Sequence, residues 1–437
     1  MLLTIKKVPT VVSNYQEESS ETSFEGCGRH CLGKCCLPGS SVPLYSFKID
    51  RENSKENGEV NSAKEQPQVC FLHNLLLGQW EDRMSRGLFR YDVTSCATRI
   101  IPGRWGFIAQ LNEGRHLKKR PTEFRVDKVL QAFDETKFNF TKIGQEEVLF
   151  RFEPGNDLKS EFVPTAPPTA DSTSPSVVAI NVSPIEFGHV LLIPRVLDCL
   201  PQRIDHESFL LALHMAKEAS NPFFRIGYNS LGAFATINHL HFQAYYLAVP
   251  FPVEKSPTKR IKTVKGMQDR GVIVSRLSNF PVRGFVFEGG NTMQCLSDSV
   301  ASACIYLQNN NIPYNVLIAD SGNKIFLFPQ CFAEKQALGK VSQELLETLV
   351  NPAVWEIAGH IVLKRRQDFE NASEASAWRL LSDVSLSEER FRQVKAYVLE
   401  AAGFQETSNT DQEDDSTYDQ LSPRAISHLP KDCVVIH

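Results

Sequence analysis

The sequence predicts an α+β protein in which antiparallel sheets carry flanking helices and two related halves follow one another. Short apolar segments bounded by turn residues, such as 176–182 and 189–195, are typical of strands. A helical pattern at 205–219 precedes further strand-like residues, and a helical pattern at 292–308 again precedes a strand pair. This repeated order predicts a weak internal duplication whose second, degenerate copy lacks the histidines of the first.

The first half has the clearest signals for individual elements. Asp205 stands before the helical pattern as a predicted N-cap. The predicted buried face of that helix consists of Phe209, Leu210, Leu213 and Ala216. Five segments are predicted to be strands: "WGFIAQLN" (105–112), "EEVLFRFEP" (146–154), "SVVAINV" (176–182), "HVLLIPR" (189–195) and "FFRIGYN" (223–229).

The second half is predicted to follow the same order. After its first helix, "IPYNVLIAD" and "NKIFLFPQ" predict a hairpin that turns at 321–323. A later helix is predicted to begin with a capping box formed by Ser385 and Glu388 and to end at Gly403. Its predicted apolar row is Phe391, Val394 and Val398.

Changes in composition divide the chain into five predicted regions. The stretch "EKSPTKRIKTVKG" is typical of a basic linker, and the acidic, polar residues near the C-terminus are typical of disorder. The predicted regions are a Cys-rich, flexible N-terminal segment (1–67), an active half (68–253), a basic linker (254–280), a degenerate half with C-terminal helices (281–403) and an acidic tail (404–437).

Composition and charge exclude several classes of protein. The chain has 437 residues, 42% of them hydrophobic and 22% charged, as in an ordinary soluble protein of two or three domains. A net charge of −4 gives no global attraction to nucleic acid, and no apolar run is long enough for a membrane span. The eleven cysteines and an N-terminus unlike a secretory signal predict a reducing compartment, so we expect a cytoplasmic protein.

The segment "INHLHFQAYY" (237–246) is the strongest candidate for a site. In a strand, side chains at i, i+2 and i+4 share one face, so His239, His241 and Gln243 are predicted to point together. The plainer alternative is a core strand with buried, hydrogen-bonded histidines, which would be the better interpretation of a single histidine. Two imidazoles and an amide in one row, after the small residues of "YNSLGAFATIN" (228–238), favour a functional site.

Two chemistries fit the row of two imidazoles and one amide. Imidazole is a common zinc ligand, but Gln243 would be a poor third ligand. A neutral imidazole is also a good nucleophile toward phosphorus, with a neighbouring histidine to orient it and an amide to donate to a phosphoryl oxygen. The second chemistry uses all three residues and requires no metal and no cofactor.

A basic stretch and a cysteine cluster each have a functional and a plainer interpretation. The basic stretch fits an anion site for phosphate groups, or equally a solvated loop or a nuclear-import patch, which adds the nucleus to the expected locations. It contains Arg115, Lys118, Lys119, Arg120 and Arg125. The cysteine spacing matches no common zinc site well, which favours free thiols in a compact knot or a redox-sensitive cluster. These cysteines are Cys27, Cys31, Cys35 and Cys36.

A second motif, "INVSPIEFGHVLLIPRVLD" (180–198), lies upstream of the two histidines. Together with "HLHFQAYY" it resembles the nucleotide-binding hairpin and the His-φ-His-φ-His-φ-φ signature of the histidine triad superfamily, with glutamine in third place. That glutamine is typical of the superfamily's nucleotidyl transferase branch, which includes galactose-1-phosphate uridylyltransferases. Segments across residues 1–402, among them "GCGRHCLGKCC" and "NPAVWEIAGHIVLKRR", further resemble the plant GDP-L-galactose phosphorylases.

The resemblance implies a fold, an activity and partners. The implied fold is a duplicated histidine-triad-like fold. The implied enzyme releases L-galactose 1-phosphate from GDP-L-galactose with inorganic phosphate as acceptor, through a guanylyl-histidine intermediate, in ascorbate synthesis. The superfamily also implies a homodimer.

The resemblance also implies roles for individual residues. His241, at the middle position of the motif, is the implied nucleophile, His239 is implied to orient it, and Gln243 to hydrogen-bond a phosphoryl oxygen. The other implied substrate contacts are Asn181 at the ribose and Asn229 and Thr236 along the phosphate path.

Three other functions remain open at the level of sequence. GDP-D-glucose could be the main substrate, because one sequence does not resolve which hydroxyl of a hexose a pocket recognises. A non-catalytic nucleotide sensor would use the basic linker, the cysteine knot and the acidic tail as regulatory surfaces, but it has no use for a nucleophile. Simple hydrolysis is disfavoured by Gln243, since the hydrolytic branch of the resembled superfamily usually has a third histidine there.

Overall fold

A twelve-stranded sheet runs through both halves of the chain in the computed structural model. The structure describes residues 42–48, 71–113, 115, 125–155, 159–166, 174–261, 263–264 and 270–406. Its strands are β1 (Leu44–Phe47), β2 (Thr98–Ile100), β3 (Ile108–Leu111), β4 (Val148–Pro154), β5 (Glu161–Val163), β6 (Val177–Ile180), β7 (Val190–Ile193), β8 (Phe224–Asn229), β9 (Phe242–Tyr246), β10 (Thr258–Arg260), β11 (Thr263–Val264), β12 (Val272–Leu277), β13 (Phe285–Gly289), β14 (Tyr314–Ala319), β15 (Lys324–Pro329), β16 (His360–Leu363) and β17 (Gln405–Glu406).

The described helices flank these strands. They are α1 (Phe71–Ser85), α2 (His206–Ala219), α3 (Met293–Asn309), α4 (Phe332–Ala337), α5 (Gln343–Glu347), α6 (Val354–Ala358), α7 (Arg366–Glu370), α8 (Glu374–Val384) and α9 (Glu388–Ala401). The protein is therefore a mixed helix and sheet protein, as predicted.

The two halves meet at the centre of the large sheet, where β8 pairs with β14 in antiparallel fashion. The strand order is β10-β12-β13-β15-β14-β8-β9-β7-β6-β4-β1-β5. Outward from the centre, the order β8-β9-β7-β6 on one side therefore matches β14-β15-β13-β12 on the other. Along the chain each side consists of two strands, a helix (α2 or α3) and two more strands.

The expectation of purely antiparallel sheets is wrong in two places. Strand β1 pairs with β4 in parallel. In the small sheet β16-β3-β2, strand β16 from the second half pairs with β3 in parallel, with His360 opposite Ile108. This pairing brings residues after 350 next to the first half.

Helices α2 and α3 begin at side-chain caps and pack against each other. The Ser208 backbone N–H donates to Asp205 Oδ1 over 2.8 Å, which confirms the predicted cap of α2. Thr292 caps α3 in the same way, through a hydrogen bond to its Oγ1 from the Cys295 N–H. On α2, the predicted positions Phe209, Leu213 and Ala216 are buried, whereas Leu210 is partly exposed.

Two predictions about local structure are wrong. Helix α9 is capped by Ser387, whose Oγ accepts from the Arg390 N–H, and not by Ser385. Ser385 instead accepts a hydrogen bond from the Arg283 N–H, because it ends the preceding helix. The predicted linker, 254–280, contributes the strands β10 and β12 to the large sheet, because most residues of β12 are buried.

Several predicted regions lie outside the described residues. They are the cysteine cluster, Lys118, Lys119, Arg120 and most of the acidic tail. Within the predicted N-terminal segment the structure describes 42–48, which includes β1 of the large sheet. None of the helices that are described combines the length and the apolar character needed to cross a membrane.

Candidate functional site

A cavity of about 550 Å³ lies beside β9 and is lined by residues of both halves. It brings together most of the side chains that the sequence singled out. The predicted site residues that line it are His241, Gln243, Asn181, Asn229, Thr236 and Arg115. His239 is fully buried and is not among the residues that line the cavity.

The ring of His241 is oriented by the chain that precedes it. Its Nδ1 lies 2.8 Å from the backbone carbonyl oxygen of His239. Because a carbonyl oxygen only accepts, this contact places a ring proton on Nδ1. The ring of Phe140 packs against the imidazole in an edge-on geometry, with 5.0 Å between centroids. His241 therefore has an oriented ring that lines the cavity.

The two histidines do not belong to the regular strand that the alternating pattern predicts. Strand β9 begins at Phe242, and its pairing with β8 extends only to Gly227 opposite Gln243. The side chain of Gln202 makes the hydrogen bonds to the His241 backbone that a neighbouring strand would otherwise make. Its Oε1 accepts from the His241 N–H over 2.9 Å, and its Nε2 donates to the carbonyl oxygens of His241 (3.2 Å) and Asn229 (2.9 Å).

His239 lies in the core next to the site and does not reach the cavity. Its Nδ1 accepts from the Phe140 N–H over 3.1 Å, and the rings of Phe133 and Phe140 each lie 5.5 Å away. Burial, and then the neighbouring His241, lower the pKa of His239 to about 3, so its ring is neutral near pH 7. The carbonyl of His239, rather than its imidazole, makes the orienting contact with His241.

His189, which the sequence analysis did not select, connects two of the predicted residues. Its Nδ1 accepts from the Ile185 N–H over 2.9 Å, and its Nε2 lies 3.2 Å from Asn181 Nδ2. Burial lowers the pKa of His189 to about 3, Arg115 lowers it further, and a hydrogen bond with the Gln243 side chain acts in the opposite direction. The neutral, fully buried ring of His189 thus connects Asn181, the candidate ribose contact, to the amide of Gln243.

Asn229 joins the site to the second half of the chain. Its Oδ1 accepts from Asn315 Nδ2 over 2.6 Å and from the Val354 N–H over 3.0 Å. Asn315 Oδ1 in turn accepts a hydrogen bond from Gln330 Nε2. The amide of Asn229 is therefore a junction between β8, β14 and the start of α6, as well as part of the cavity wall.

One wall of the cavity comes from the second half. The residues on this wall are Asn351, Ala353, Trp355, Glu356, Val362 and Lys364. They lie within or directly next to α6 and β16. Strand β16 pairs with β3 of the first half. The sequence analysis quoted this stretch as part of a family resemblance but assigned it no role, because more than a hundred residues separate it from His241.

Charged side chains of both signs face the cavity. Arg90, Arg115 and Lys364 line it together with Glu147 and Glu356. Arg115 Nη2 donates to the Ser183 carbonyl over 3.4 Å. Burial is the main cause that lowers the pKa of Lys364, Glu356 raises it, and Arg115 lowers it. Within the part of the chain that the structure describes, no group of three or more His, Cys, Asp or Glu side chains could hold a metal ion.

The fold places an imidazole, an amide and cationic side chains around one cavity, an arrangement that suits an enzyme of phosphorus-linked group transfer. Two family models extend the description. The model for the GDPGP1-like N-terminal domain matches residues 71–245, and the model for the GDPGP1-like C-terminal domain matches residues 252–405. The chain belongs to the GDPGP1-like family.

Curated relatives include plant and animal proteins. The chain is 65% identical over 405 residues to "GDP-L-galactose phosphorylase 1" of Arabidopsis thaliana, covering 92% of this chain and 90% of that protein. It is 35% identical over 347 residues to "GDP-D-glucose phosphorylase 1" of Homo sapiens, covering 74% and 82%. The resemblance to plant GDP-L-galactose phosphorylases is confirmed. Among solved structures, the yeast Ap4A phosphorylase Apa2 with Ap4A is 14% identical, with a TM-score of 0.47 over 72% of this chain and 97% of that one.

Proposed function

We propose that the chain is a GDP-L-galactose phosphorylase, which converts GDP-L-galactose and inorganic phosphate into L-galactose 1-phosphate and GDP. The observation that carries this assignment to the cavity is the orientation of His241, whose Nδ1 is held by the His239 carbonyl and whose side chain lines the cavity. The high identity to the plant relative of that name favours L-galactose as the hexose. The reaction is a nucleotidyl transfer within ascorbate synthesis.

In the first proposed step, Nε2 of His241 attacks the α-phosphorus of the GDP-sugar. The Nε2–P bond forms while the bond from the α-phosphorus to the bridging oxygen breaks, and that oxygen leaves with hexose 1-phosphate. The ring must be neutral at Nε2 to attack, which the hydrogen bond of Nδ1 supports. Gln243, which also lines the cavity, is proposed to donate its amide N–H to an oxygen of the transferring group.

In the second proposed step, an oxygen of inorganic phosphate attacks the same phosphorus. The new P–O bond forms while the Nε2–P bond breaks, which yields GDP and returns His241 to its neutral form. The phosphate enters as an anion and needs no general base, so an amide at position 243 is sufficient. A third imidazole, useful for handling the proton of a water nucleophile, is not needed for transfer to phosphate.

The remaining candidates have supporting roles in this proposal. Asn181, tied to the buried His189, is proposed to meet the ribose. Thr236 and Asn229 line the cavity and are proposed to border the phosphate path. Their contribution to binding stays a prediction, as does that of Lys118, Lys119 and Arg120, which lie outside the described residues.

We further propose that the two halves arose by duplication of a histidine-triad-like unit. The matching strand orders on the two sides of the β8–β14 junction support this, as does the helix that each half inserts between its strand pairs. The second unit would then be the degenerate one, because β15 is apolar where the first unit has the His-x-His-x-Gln motif. We also propose that the protein forms a homodimer and is located in the cytoplasm, with a fraction in the nucleus.

The assignment is tested by phosphate-dependent turnover of GDP-L-galactose. Wild type should release L-galactose 1-phosphate and GDP in equal amounts, and only when phosphate is present. The variant His241→Asn should lower kcat by a factor on the order of 10⁴ or more. Turnover that does not depend on phosphate would contradict the proposal, and a higher kcat/KM with GDP-D-glucose would favour the animal relatives' substrate.

A further inference from the structure

Arg115 and Lys364 are cations from different halves of the chain that face one cavity with His241. Arg115 follows β3, and Lys364 directly follows β16, which pairs in parallel with β3. The pairing of these two strands therefore sets both cations at the same end of the small sheet. Both cations lie outside the His-x-His-x-Gln motif of the first half and outside β15 of the second half.

The two cations lie near enough to repel each other, and Glu356 offsets part of this repulsion at Lys364. Arg115 Nε is buried and makes no hydrogen bond within the described part of the chain, and its Nη2 contact with the Ser183 carbonyl is long, at 3.4 Å. Lys364 Nζ donates to the Leu349 carbonyl, which carries no formal charge. Burial is the main cause that lowers the pKa of Lys364; Glu356 raises it, and Arg115 lowers it by less. An anion between the two cations would remove this repulsion.

The proposed chemistry requires an anion site at one particular place. In each in-line displacement at the α-phosphorus, the entering and leaving atoms lie on opposite sides of that phosphorus. His241 Nε2 enters in the first step and leaves in the second. The departing hexose 1-phosphate and the incoming inorganic phosphate must therefore both lie on the side away from His241. One subsite is enough for both phosphate groups, which occupy it in turn.

We propose that Arg115 and Lys364 form this shared oxyanion subsite, which holds first the phosphate of the leaving hexose 1-phosphate and then the acceptor phosphate. The inference rests on the proposed function and assigns a substrate contact to the second half. Inorganic phosphate has no sugar to add binding energy, so its step depends on the two cations more than the first step does. Lys364 is thus a determinant of acceptor affinity supplied by the half without the nucleophile.

The test compares three variants with wild type. Lys364→Met removes the charge and keeps most of the side-chain volume, Lys364→Arg restores a cation, and Lys340→Met removes an exposed lysine that does not line the cavity. Thermal melting of each variant checks folding. Steady-state assays give the KM for phosphate, and rapid-quench assays without phosphate give the rate at which GDP-L-galactose releases the sugar phosphate.

Lys364→Met should raise the KM for phosphate about 10- to 100-fold, the size expected for a lost charge-assisted hydrogen bond. The rate of the first half-reaction should fall by a smaller factor. Lys364→Arg should recover most of the phosphate affinity, and Lys340→Met should match wild type. A phosphate KM within twofold of wild type in a folded Lys364→Met protein would overturn the proposal. So would an effect on the first half-reaction alone.

A second measurement tests whether the two phosphate groups share one subsite. L-galactose 1-phosphate should inhibit competitively against inorganic phosphate, because both would bind the guanylyl-enzyme at the same place. Noncompetitive inhibition against phosphate would require separate subsites and would refute the shared site. If wild type itself showed no phosphate-dependent turnover, the proposed function would fail first and the subsite with it; turnover that is normal in all three variants would refute the subsite alone.

Discussion

The two halves of the large sheet have the same strand order but use one sheet face differently. In the first half, Gln243 of β9 faces the cavity. In the second half, Phe326 and Phe328 of β15 are buried in a core cluster together with Trp355 and Leu381. Helices that follow β15 supply Trp355 and Leu381 of that cluster, whereas beside Gln243 helix α6 forms only one wall of an open cavity. The comparison teaches that the open face beside Gln243, and not the strand order that both halves share, distinguishes the candidate site.

The two halves also depend on each other at their junction. Arg225 of β8 is almost fully buried and donates to both carboxylate oxygens of Glu254, over 2.8 and 2.9 Å. Arg225 also donates to the Leu247 carbonyl. Glu254 lies at the start of the second family domain, so this ion pair attaches the beginning of one half to the central strand of the other.

The largest expected effect comes from breaking that junction. Arg225→Met leaves the partly buried Glu254 carboxylate without its cation, and we expect the free energy of unfolding to fall by about 3 kcal/mol. Urea unfolding measures the loss. The double variant Arg225→Met/Glu254→Leu should recover part of it, since the uncompensated charge is then removed. A double variant as unstable as the sum of both single variants would show that the pair itself is not the cause.

The next effect concerns the position of the nucleophile. Gln202 holds the N–H and the carbonyl of His241 and connects them to the carbonyl of Asn229. Gln202→Met keeps the side-chain volume but releases these contacts, and a displacement of the nucleophile by about 1 Å is expected to lower kcat about 100-fold. The KM for GDP-L-galactose should change little. A fall in kcat/KM that came only from KM would assign Gln202 to substrate binding instead.

Stability should depend on pH through histidines of both halves. Burial is the main cause that lowers the pKa of His189, His239 and His360 to about 3. The unfolded chain therefore binds protons below its histidine pKa of about 6.5, while the folded protein does not, so stability is highest above that pH and falls as the pH drops toward 3. Each histidine contributes up to about 1.4 kcal/mol per pH unit in that range.

Urea unfolding at pH 7.5, 6.5 and 5.5 measures this dependence. Substitution of His360 by Phe should flatten the decline between the lower two pH values without removing it, because His189 and His239 remain. A midpoint that is constant across the three pH values would contradict the burial of all three neutral rings.

The smallest expected effect is at Arg195, which directly follows the hairpin strand of the first motif. Its guanidinium pairs with Asp205 over 3.0 Å and Glu207 over 2.7 Å, and both carboxylates are well exposed. Arg195 does not line the cavity. Arg195→Gln should change the free energy of unfolding by less than about 1 kcal/mol and leave kcat/KM within twofold. A tenfold loss of kcat/KM would mean that the substrate extends beyond the described cavity.

The sequence predicts the parts of the fold and site that depend on local patterns. The Asp205 cap and the hairpin of the second half follow from neighbouring residues, and the family resemblance of two motifs implied that His241 and Asn181 belong to one site. Ser385 was chosen as a cap in place of Ser387 because both serines precede the same acidic turn, and only the three-dimensional contact with Arg283 separates them.

Residues that act over long sequence separations could not be predicted. Gln202 contacts His241 from 39 positions upstream, and Lys364 reaches the cavity only because β16 pairs with β3. Their identities, one glutamine and one lysine among many, give no local signal. His189 was visible in the hairpin motif, but its contact with Gln243 depends on the pairing of β7 with β9.

The most direct test of the central claim is the identity of the residue that carries the guanylyl group. Wild type should be mixed with GDP-L-galactose in the absence of phosphate, quenched and digested, and its peptides analysed by mass spectrometry. We predict one guanylyl group on the peptide that contains His241, lost on addition of phosphate with release of GDP, and absent from His241→Asn. A guanylyl group on another residue, or none on a wild-type protein that turns over the substrate, would contradict the account.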